Sequence, residues 1–198
     1  MRKTKRSAGP FPEFRPSGHP IARLARRVRL LLHRHRRILR SWLVFLVLLE
    51  GMHLLLDWSG PRVWDFIDTS TARVTCRILS LLGADAHVQG KNIVSSIFSM
   101  QIIRECTAVH PIMIYVAAVV AYPCSWMSRL LGAAAGTVAL LLVNQVRLVS
   151  LCFIGHFYPE SFESVHMLVW QSLIIFITVL LWIVWASTVS PRHDSGTA

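Results

Sequence analysis

Three side chains in the 198-residue sequence have the types that acyl transfer requires: the thiol of Cys106, the guanidinium of Arg147 and the imidazole of His166. A thiolate attacks a peptide carbonyl, a guanidinium stabilises the resulting oxyanion, and an imidazole protonates the leaving amine. Water or an amine then resolves the thioester. Each residue also has a plainer interpretation: a thiol packed as a small hydrophobic group, an arginine reaching lipid head groups, and a solvated histidine at a helix start.

Two neighbours are candidate supporting residues for this set. Asn144 and Arg147 are three residues apart in "LLLVNQVRLVSLCF" and form a polar stripe in an otherwise apolar helix. Such stripes face the interior of a helix bundle. Glu163 lies one helical turn before His166 in "FESVHMLVW".

Further polar residues lie on other predicted helices. His110 follows Cys106 by four residues, which places both on one helical face and makes His110 a rival to His166 as the base. Its position before a proline favours a helix boundary or a kink there. Glu50, His53 and Asp57 share a face of the first apolar span, where we expect Glu50 to pair with His53 in a structural or substrate-facing role.

The elements that must position these residues lie in a membrane. The sequence is 54% hydrophobic and only 16% charged, which is too apolar for a soluble domain of this length. Thirteen of its 21 Lys and Arg residues fall within residues 1–40. A basic segment followed by apolar spans is typical of the cytoplasmic flank of a membrane protein, so the net charge of +11 requires no nucleic-acid partner.

Four apolar stretches are long enough to cross a hydrocarbon core of about 30 Å. They are Trp42 to Trp58, Thr107 to Tyr122, about Leu130 to Ile154, and Val165 to Ser187. With the basic N-terminus inside, Cys106 precedes the second span at its outer end and His166 opens the fourth at its outer end. Arg147 lies roughly 26 Å along the third span, again near the outer face. The topology therefore predicts the thiol, the guanidinium and the imidazole at one depth. Cys106 would then lie at the N-terminus of the helix that opens at Thr107, which favours the thiolate, and a neighbouring arginine would lower the pKa of the thiol further.

The segment between the first two spans carries a different pattern. Residues 62–82 have apolar side chains along one helical face, which favours an interfacial helix; a fifth transmembrane helix is the alternative, at the cost of burying four charges. The "QGKN" turn and the alternation from Phe98 to Ile102 predict a β-hairpin that leads into Cys106. We thus expect an all-α membrane protein with about four transmembrane helices, an extracytoplasmic interfacial helix and a short β-hairpin.

Three regions are predicted along the chain. Residues 1–40 form a basic, largely disordered or amphipathic cytoplasmic tail, either lying on anionic lipids or solvated. Residues 41–187 form the membrane-embedded domain, and residues 188–198 form a cytoplasmic tail. The four cysteines have neither metal-site nor disulfide-framework spacing, so we expect no metal and no cofactor.

Three blocks of the sequence resemble the exosortase/archaeosortase family, with exosortase H as the most similar type: "ECTAV", "LLVNQVRLVSLCFIG" and "FESVHMLVWQSLI". The resemblance implies a membrane-embedded cysteine transpeptidase with Cys106 as nucleophile, Arg147 as oxyanion partner and His166 as acid and base. It also implies an inner-membrane enzyme whose site faces the periplasm and whose substrates are C-terminal sorting tails, each with a short motif, a transmembrane helix and a basic cluster. Where relatives commonly have glycine two residues after the cysteine, this chain has Ala108.

Two alternatives from other functional classes remain open on the sequence. A non-catalytic scaffold would dock other helices through the small-residue patch "GAAAG" (Gly132 to Gly136) and the Glu50 face. A membrane thiol oxidoreductase would pair Cys106 with a second thiol such as Cys152.

Overall fold

The computed structural model describes residues 36–189. The predicted N-terminal tail therefore lies almost entirely outside the described residues, and nearly all of the predicted C-terminal tail does too. The described chain is mostly helical and contains one small antiparallel sheet with the strand order β1-β2-β3. This confirms the predicted class, a helical membrane protein with a small β element.

The elements follow one another without long connections. The α-helices are α1 (Arg36–Trp58), α2 (Pro61–Leu81), α3 (Val109–Ala121), α4 (Trp126–Phe157), the single turn α5 (Phe162–Ser164) and α6 (Gln171–Thr188). Two 3-10 turns (Arg104–Cys106 and Pro159–Ser161) and one π-helical segment (Val165–Trp170) join them. The strands are β1 (Ala86–Gln89), β2 (Asn92–Ser95) and β3 (Met100–Gln101).

Three helical stretches in the described chain are long and apolar enough to cross a membrane: Ile38–Trp58, Trp126–Phe157 and Pro159–Thr188. The predicted second span is shorter than expected, because α3 has 13 residues and is therefore only about 20 Å long. Its N-terminal side is taken up by the turn at Cys106, and it ends just before Pro123, which disfavours helical geometry in the preceding residue. The structure thus has three long apolar helices and one short one.

Helix α2 has two faces with different surroundings. It begins at Pro61, a residue suited to the first helical position, and buries six side chains against the rest of the protein: Trp64, Asp68, Ala72, Thr75, Cys76 and Leu79. The apolar residues predicted for a membrane-facing side, such as Phe66 and Leu81, remain exposed. The helix is not among the long apolar ones, and its interfacial location remains a prediction.

The predicted hairpin is present. Strands β1 and β2 pair antiparallel from Ala86↔Ser95 to Gln89↔Asn92, which leaves Gly90 and Lys91 as a two-residue loop. Gly90 has φ of +63°, a conformation that glycine adopts without steric cost. β3 pairs with β2, and the chain then runs through Ile102 into the turn at Cys106.

Two buried clusters hold these elements together. The first joins α2, the sheet and α4 through Ala72, Cys76, Leu79, Ala84, Ile93, Ile102, Cys106, Leu148 and Cys152. The second joins α3 and α4 through Tyr115, Val119 and Leu140.

The small-residue patch of α4 is filled from within the protein. The Tyr115 ring packs on Gly136, its hydroxyl donates to the Gly132 carbonyl oxygen at 3.1 Å, and the Trp185 ring covers Gly132. The scaffold hypothesis assigned these glycines to contacts with partner helices, but side chains of the protein itself already cover them.

Candidate active site

Cys106 ends the 3-10 turn that connects β3 to α3. The turn is closed by a hydrogen bond from the Cys106 backbone N–H to the Ile103 carbonyl oxygen (2.8 Å), and Thr107 caps it through its hydroxyl and backbone N–H on the Arg104 oxygen. The side chain of Cys106 is only 5% exposed. Its Sγ lies 3.5 Å from Nε2 of His166, so the two reactive groups predicted on separate elements are in contact.

The π-helical segment Val165–Trp170 carries His166 and holds it at the thiol. A π-helical turn contains one more residue than an α-helical turn, so it changes the direction of a side chain within a continuous helix. The His166 ring stacks on Phe162 (centroids 5.9 Å apart, planes at 23°), and Phe162 in turn contacts Phe98. Glu163 is exposed and makes no side-chain hydrogen bond to another described residue.

Arg147 and Asn144 each bind one of the two backbone carbonyl groups that flank the Cα atom of Cys106. Arg147 Nη1 donates to the Glu105 carbonyl oxygen at 3.1 Å, and Asn144 Nδ2 donates to the Cys106 carbonyl oxygen at 3.0 Å. Both side chains are 1% exposed, which confirms that the polar stripe of α4 faces inward. Within residues 36–189, Nε and Nη2 of Arg147 and Oδ1 of Asn144 have no hydrogen-bond partner. Two donors and one acceptor beside Cys106 therefore have unused hydrogen-bonding capacity.

The electrostatics of the thiol differ from the sequence-based expectation. Burial raises the pKa of the Cys106 thiol, while the Ile103 backbone and the positive charge of Arg147 act in the opposite direction without outweighing it. A helix N-terminus was expected to favour the thiolate, but α3 begins at Val109, three residues beyond the sulfur. Burial therefore favours the protonated form of the Cys106 thiol.

Ala108 replaces the glycine common in relatives without backbone strain. It has φ of −80° and ψ of 8°, a conformation open to any residue, and its side chain is buried. The backbone here does not require glycine.

Two of the supporting residues lie elsewhere. His110 stacks on Trp64 and contacts the ring of His53, with centroids 6.3 and 5.7 Å apart respectively, and it makes no hydrogen bond to Cys106. The expected i to i+4 relation fails because Cys106 lies in a 3-10 turn outside α3. Glu50 is exposed, and His53 pairs with Asp57 (Nε2 to Oδ2, 3.8 Å) instead of with Glu50.

Sequence reasoning missed three residues near the turn that carries Cys106: Trp64, Asp68 and Arg104. The Arg104 guanidinium lies 4.7 Å from the centre of the Trp64 ring, and Asp68 is 2% exposed. The only available signal was that Asp68 stands off the apolar face of α2, a position usually occupied by solvated residues. Among the described residues, no group of three His, Cys, Asp or Glu side chains is arranged to hold a metal ion, and all four cysteines are free.

Comparison with known proteins identifies the family of the chain. The transmembrane exosortase family (Exosortase_EpsH) matches residues 28–186. The chain belongs to the transmembrane exosortase family. The match includes every helix and strand of the described structure except the last two residues of α6, and it covers Cys106, Arg147 and His166. No curated protein and no solved structure matches the chain.

Proposed function

We propose that this exosortase family member is a cysteine transpeptidase that cleaves C-terminal sorting tails and transfers the acyl group released from them. In this proposal Cys106 is the nucleophile, His166 the acid and base, and Arg147 the oxyanion partner. The observation that carries it is the 3.5 Å contact between Cys106 Sγ and His166 Nε2 beside a buried arginine that has two unpartnered nitrogen atoms.

The first half-reaction follows from this arrangement. His166 Nε2 takes the proton of the thiol, and the sulfur attacks the carbonyl carbon of the scissile peptide bond. The free nitrogen atoms of Arg147 donate to the oxygen as it becomes negatively charged. His166 then gives its proton to the leaving amine as the C–N bond breaks, and a thioester to Cys106 remains.

The raised pKa of Cys106 makes the nearby base necessary. A thiol with a low pKa would ionise without help, but a buried and protonated thiol needs a base within hydrogen-bonding reach. His166 satisfies that requirement, whereas His110 stacks on Trp64.

In this proposal Asn144 is a positioning residue for Cys106. Its buried amide donates to the Cys106 carbonyl oxygen and so fixes the backbone of the residue that carries the sulfur. Its free Oδ1 accepts the N–H of the scissile peptide.

The substrate class and the location are also proposals. The family resemblance supports tails made of a short motif, a transmembrane helix and a basic cluster as partners, in an inner membrane with both chain termini cytoplasmic. The sequence topology puts the outer ends of α4 and of the stretch that begins at Pro159 on the periplasmic side, where Arg147 and His166 lie.

The direct test is tail processing by point variants. The protein is co-expressed with a secreted protein that ends in a short motif, one apolar span and an arginine cluster, and tail loss is followed by gel shift. We expect Cys106→Ala to insert normally and to leave the tail uncleaved. Complete processing by Cys106→Ala would refute the proposal.

A paired histidine experiment tests the choice of base. His166→Ala removes the group in contact with the thiol, so we expect the loss of about 100- to 10,000-fold typical of general acid and base catalysis. His110→Ala is the matched control, with an expected change of less than about threefold because its ring contacts only Trp64 and His53 among the described aromatic rings. The reverse order of effects would assign the role to His110.

A further inference from the structure

A polar groove of about 280 Å³ lies beside the turn that carries Cys106. One wall is the start of α2, and the other is the chain from Gln101 to Glu105, which leads directly into the cysteine. Burial is the main cause of the raised pKa of the Cys106 thiol, and the negative charge of Asp68 in the groove adds to it. Glu105 lines the groove and Cys106 is the next residue in the chain, so the groove and the residue that carries the thiol are neighbours.

The groove has one more negative than positive side chain. Its carboxylates are Asp65, Asp68 and Glu105, and its cations are Lys91 and Arg104. Lys91 Nζ binds Asp65 Oδ1 at 2.6 Å and Asp68 Oδ2 at 3.1 Å, so one ammonium serves two carboxylates. The charge that remains is complementary to a further cationic group.

Asp68 supplies a specific acceptor for that group. It is 2% exposed, and its second oxygen, Oδ1, has no hydrogen-bond partner within residues 36–189. A buried carboxylate oxygen without a donor is destabilising, and a ligand N–H removes that cost. Asp65, one turn earlier on α2, differs because its side chain is 57% exposed and hydrated.

We propose that this groove is the subsite for the amine that resolves the thioester, with Asp68 accepting a hydrogen bond from a primary amine. The inference rests on the proposed function and names the chemical class of its second substrate. The volume of the groove suits a small amine head group more than a folded partner.

The second half-reaction balances as follows. The amine arrives as an ammonium ion and releases one proton to solvent. Its nitrogen then forms a bond to the thioester carbon while the bond from that carbon to the Cys106 sulfur breaks. The extra proton on the nitrogen passes to His166 and from there to the departing sulfur, so the products are an amide and the free thiol.

The test separates tail cleavage from amine transfer. The full-length protein in phosphatidylcholine vesicles is given a tail-bearing substrate and biotin-cadaverine, a soluble primary amine. Gel shift counts cleaved chains, and streptavidin blotting counts chains that carry the amine. We expect Asp68→Asn to cleave the tail and to lower the amine incorporated per cleavage by about tenfold or more, because a charge-assisted hydrogen bond is lost.

Asp65→Asn is the matched control. It removes the other carboxylate of the groove that binds Lys91 but keeps the unpartnered Asp68 Oδ1. Amine incorporation per cleavage should therefore change less than about threefold. An unchanged ratio in Asp68→Asn, or an equal loss in both variants, overturns the inference. Cleavage without any amine incorporation by the wild type overturns it as well, while a wild type that never cleaves contradicts the proposed function itself.

Two further measurements complete the experiment. If Asp68→Asn fails to insert, the wild-type protein alone tests the subsite. Incorporation of the amine must then saturate as the amine concentration rises. A strictly linear dependence would mean that the thioester reacts with amine from solution and would overturn the inference. Vesicles containing phosphatidylethanolamine then distinguish the source of the amine. A product with the mass of the lipid adduct indicates a lipid head group, and its absence beside biotin-cadaverine transfer indicates a soluble amine; either adduct supports the subsite.

Discussion

Arg147 allows a sharp test, because its charge and its hydrogen-bond geometry can be changed separately. One of its nitrogen atoms, Nη1, is committed to the Glu105 carbonyl oxygen at 3.1 Å, while Nη2 and Nε are buried without partners among the described residues. Arg147→Lys keeps the positive charge but has a single nitrogen. That nitrogen has three N–H donors but a single position, so it cannot replace Nη1 at the Glu105 carbonyl and also occupy the positions of Nη2 and Nε.

The expected loss follows from the number of donors. Removal of one oxyanion donor typically costs about 100- to 1,000-fold in the chemical step. We expect at least that loss in Arg147→Lys and a larger one in Arg147→Gln, which also removes the charge. If Arg147 only anchored the turn, Arg147→Lys would keep the Glu105 contact and most of the activity.

The assay is single-turnover tail cleavage in proteoliposomes with enzyme in excess. Insertion is verified for each variant, and Cys106→Ala defines the background rate. Arg129→Lys is the matched control: Arg129 lies near the other end of α4 and also donates to a backbone carbonyl, that of Tyr122 (Nε to O, 3.2 Å). Wild-type cleavage by Arg147→Lys would refute the assignment of an oxyanion role.

Two further predictions concern packing and ionisation. A Cβ atom at Gly136 would overlap the Tyr115 ring, so Gly136→Ala should lower the free energy of unfolding by roughly 1–3 kcal/mol in detergent. Gly51→Ala should not, because no atom of the described residues lies within 4 Å of a Cβ there. Alkylation of Cys106 by iodoacetamide, followed by mass spectrometry, should have a midpoint pH above that of a free cysteine, because burial keeps the thiol protonated. Arg147→Gln should raise that midpoint further, since the charge that lowers the pKa is lost; a lower midpoint would contradict this account.

Some of the site follows from local sequence rules. The hairpin was predictable because "QGKN" supplies glycine where positive φ is needed, and register then follows from the two-residue loop. Asn144 and Arg147 were predictable as an inward stripe because α4 is regular over 32 residues, so helical periodicity holds along its length.

The remainder depends on tertiary packing that periodicity cannot reveal. The length of α3 and the direction of His110 were mispredicted because the chain forms a 3-10 turn at Cys106, which breaks the helical phase between the two residues. The π-helical segment at His166 has the composition of an ordinary apolar helix. The burial of Asp68 could not be read from its position off the apolar face of α2. It arises where the hairpin packs on α2 and Lys91 binds Asp68.

The two Arg147 nitrogen atoms that lack a partner among the described residues affect how strongly the proposed site would bind an oxyanion. Each buried donor without an acceptor costs about 1–3 kcal/mol, and Arg147 has two such nitrogen atoms. Arg147 is 1% exposed and Cys106 is 5% exposed, so both side chains are shielded from bulk solvent. The bond to Glu105 also fixes the orientation of the guanidinium before any substrate binds. In the proposed mechanism, a carbonyl oxygen that gains charge as Cys106 attacks meets donors that are already oriented, so the interaction strengthens as the transition state is reached.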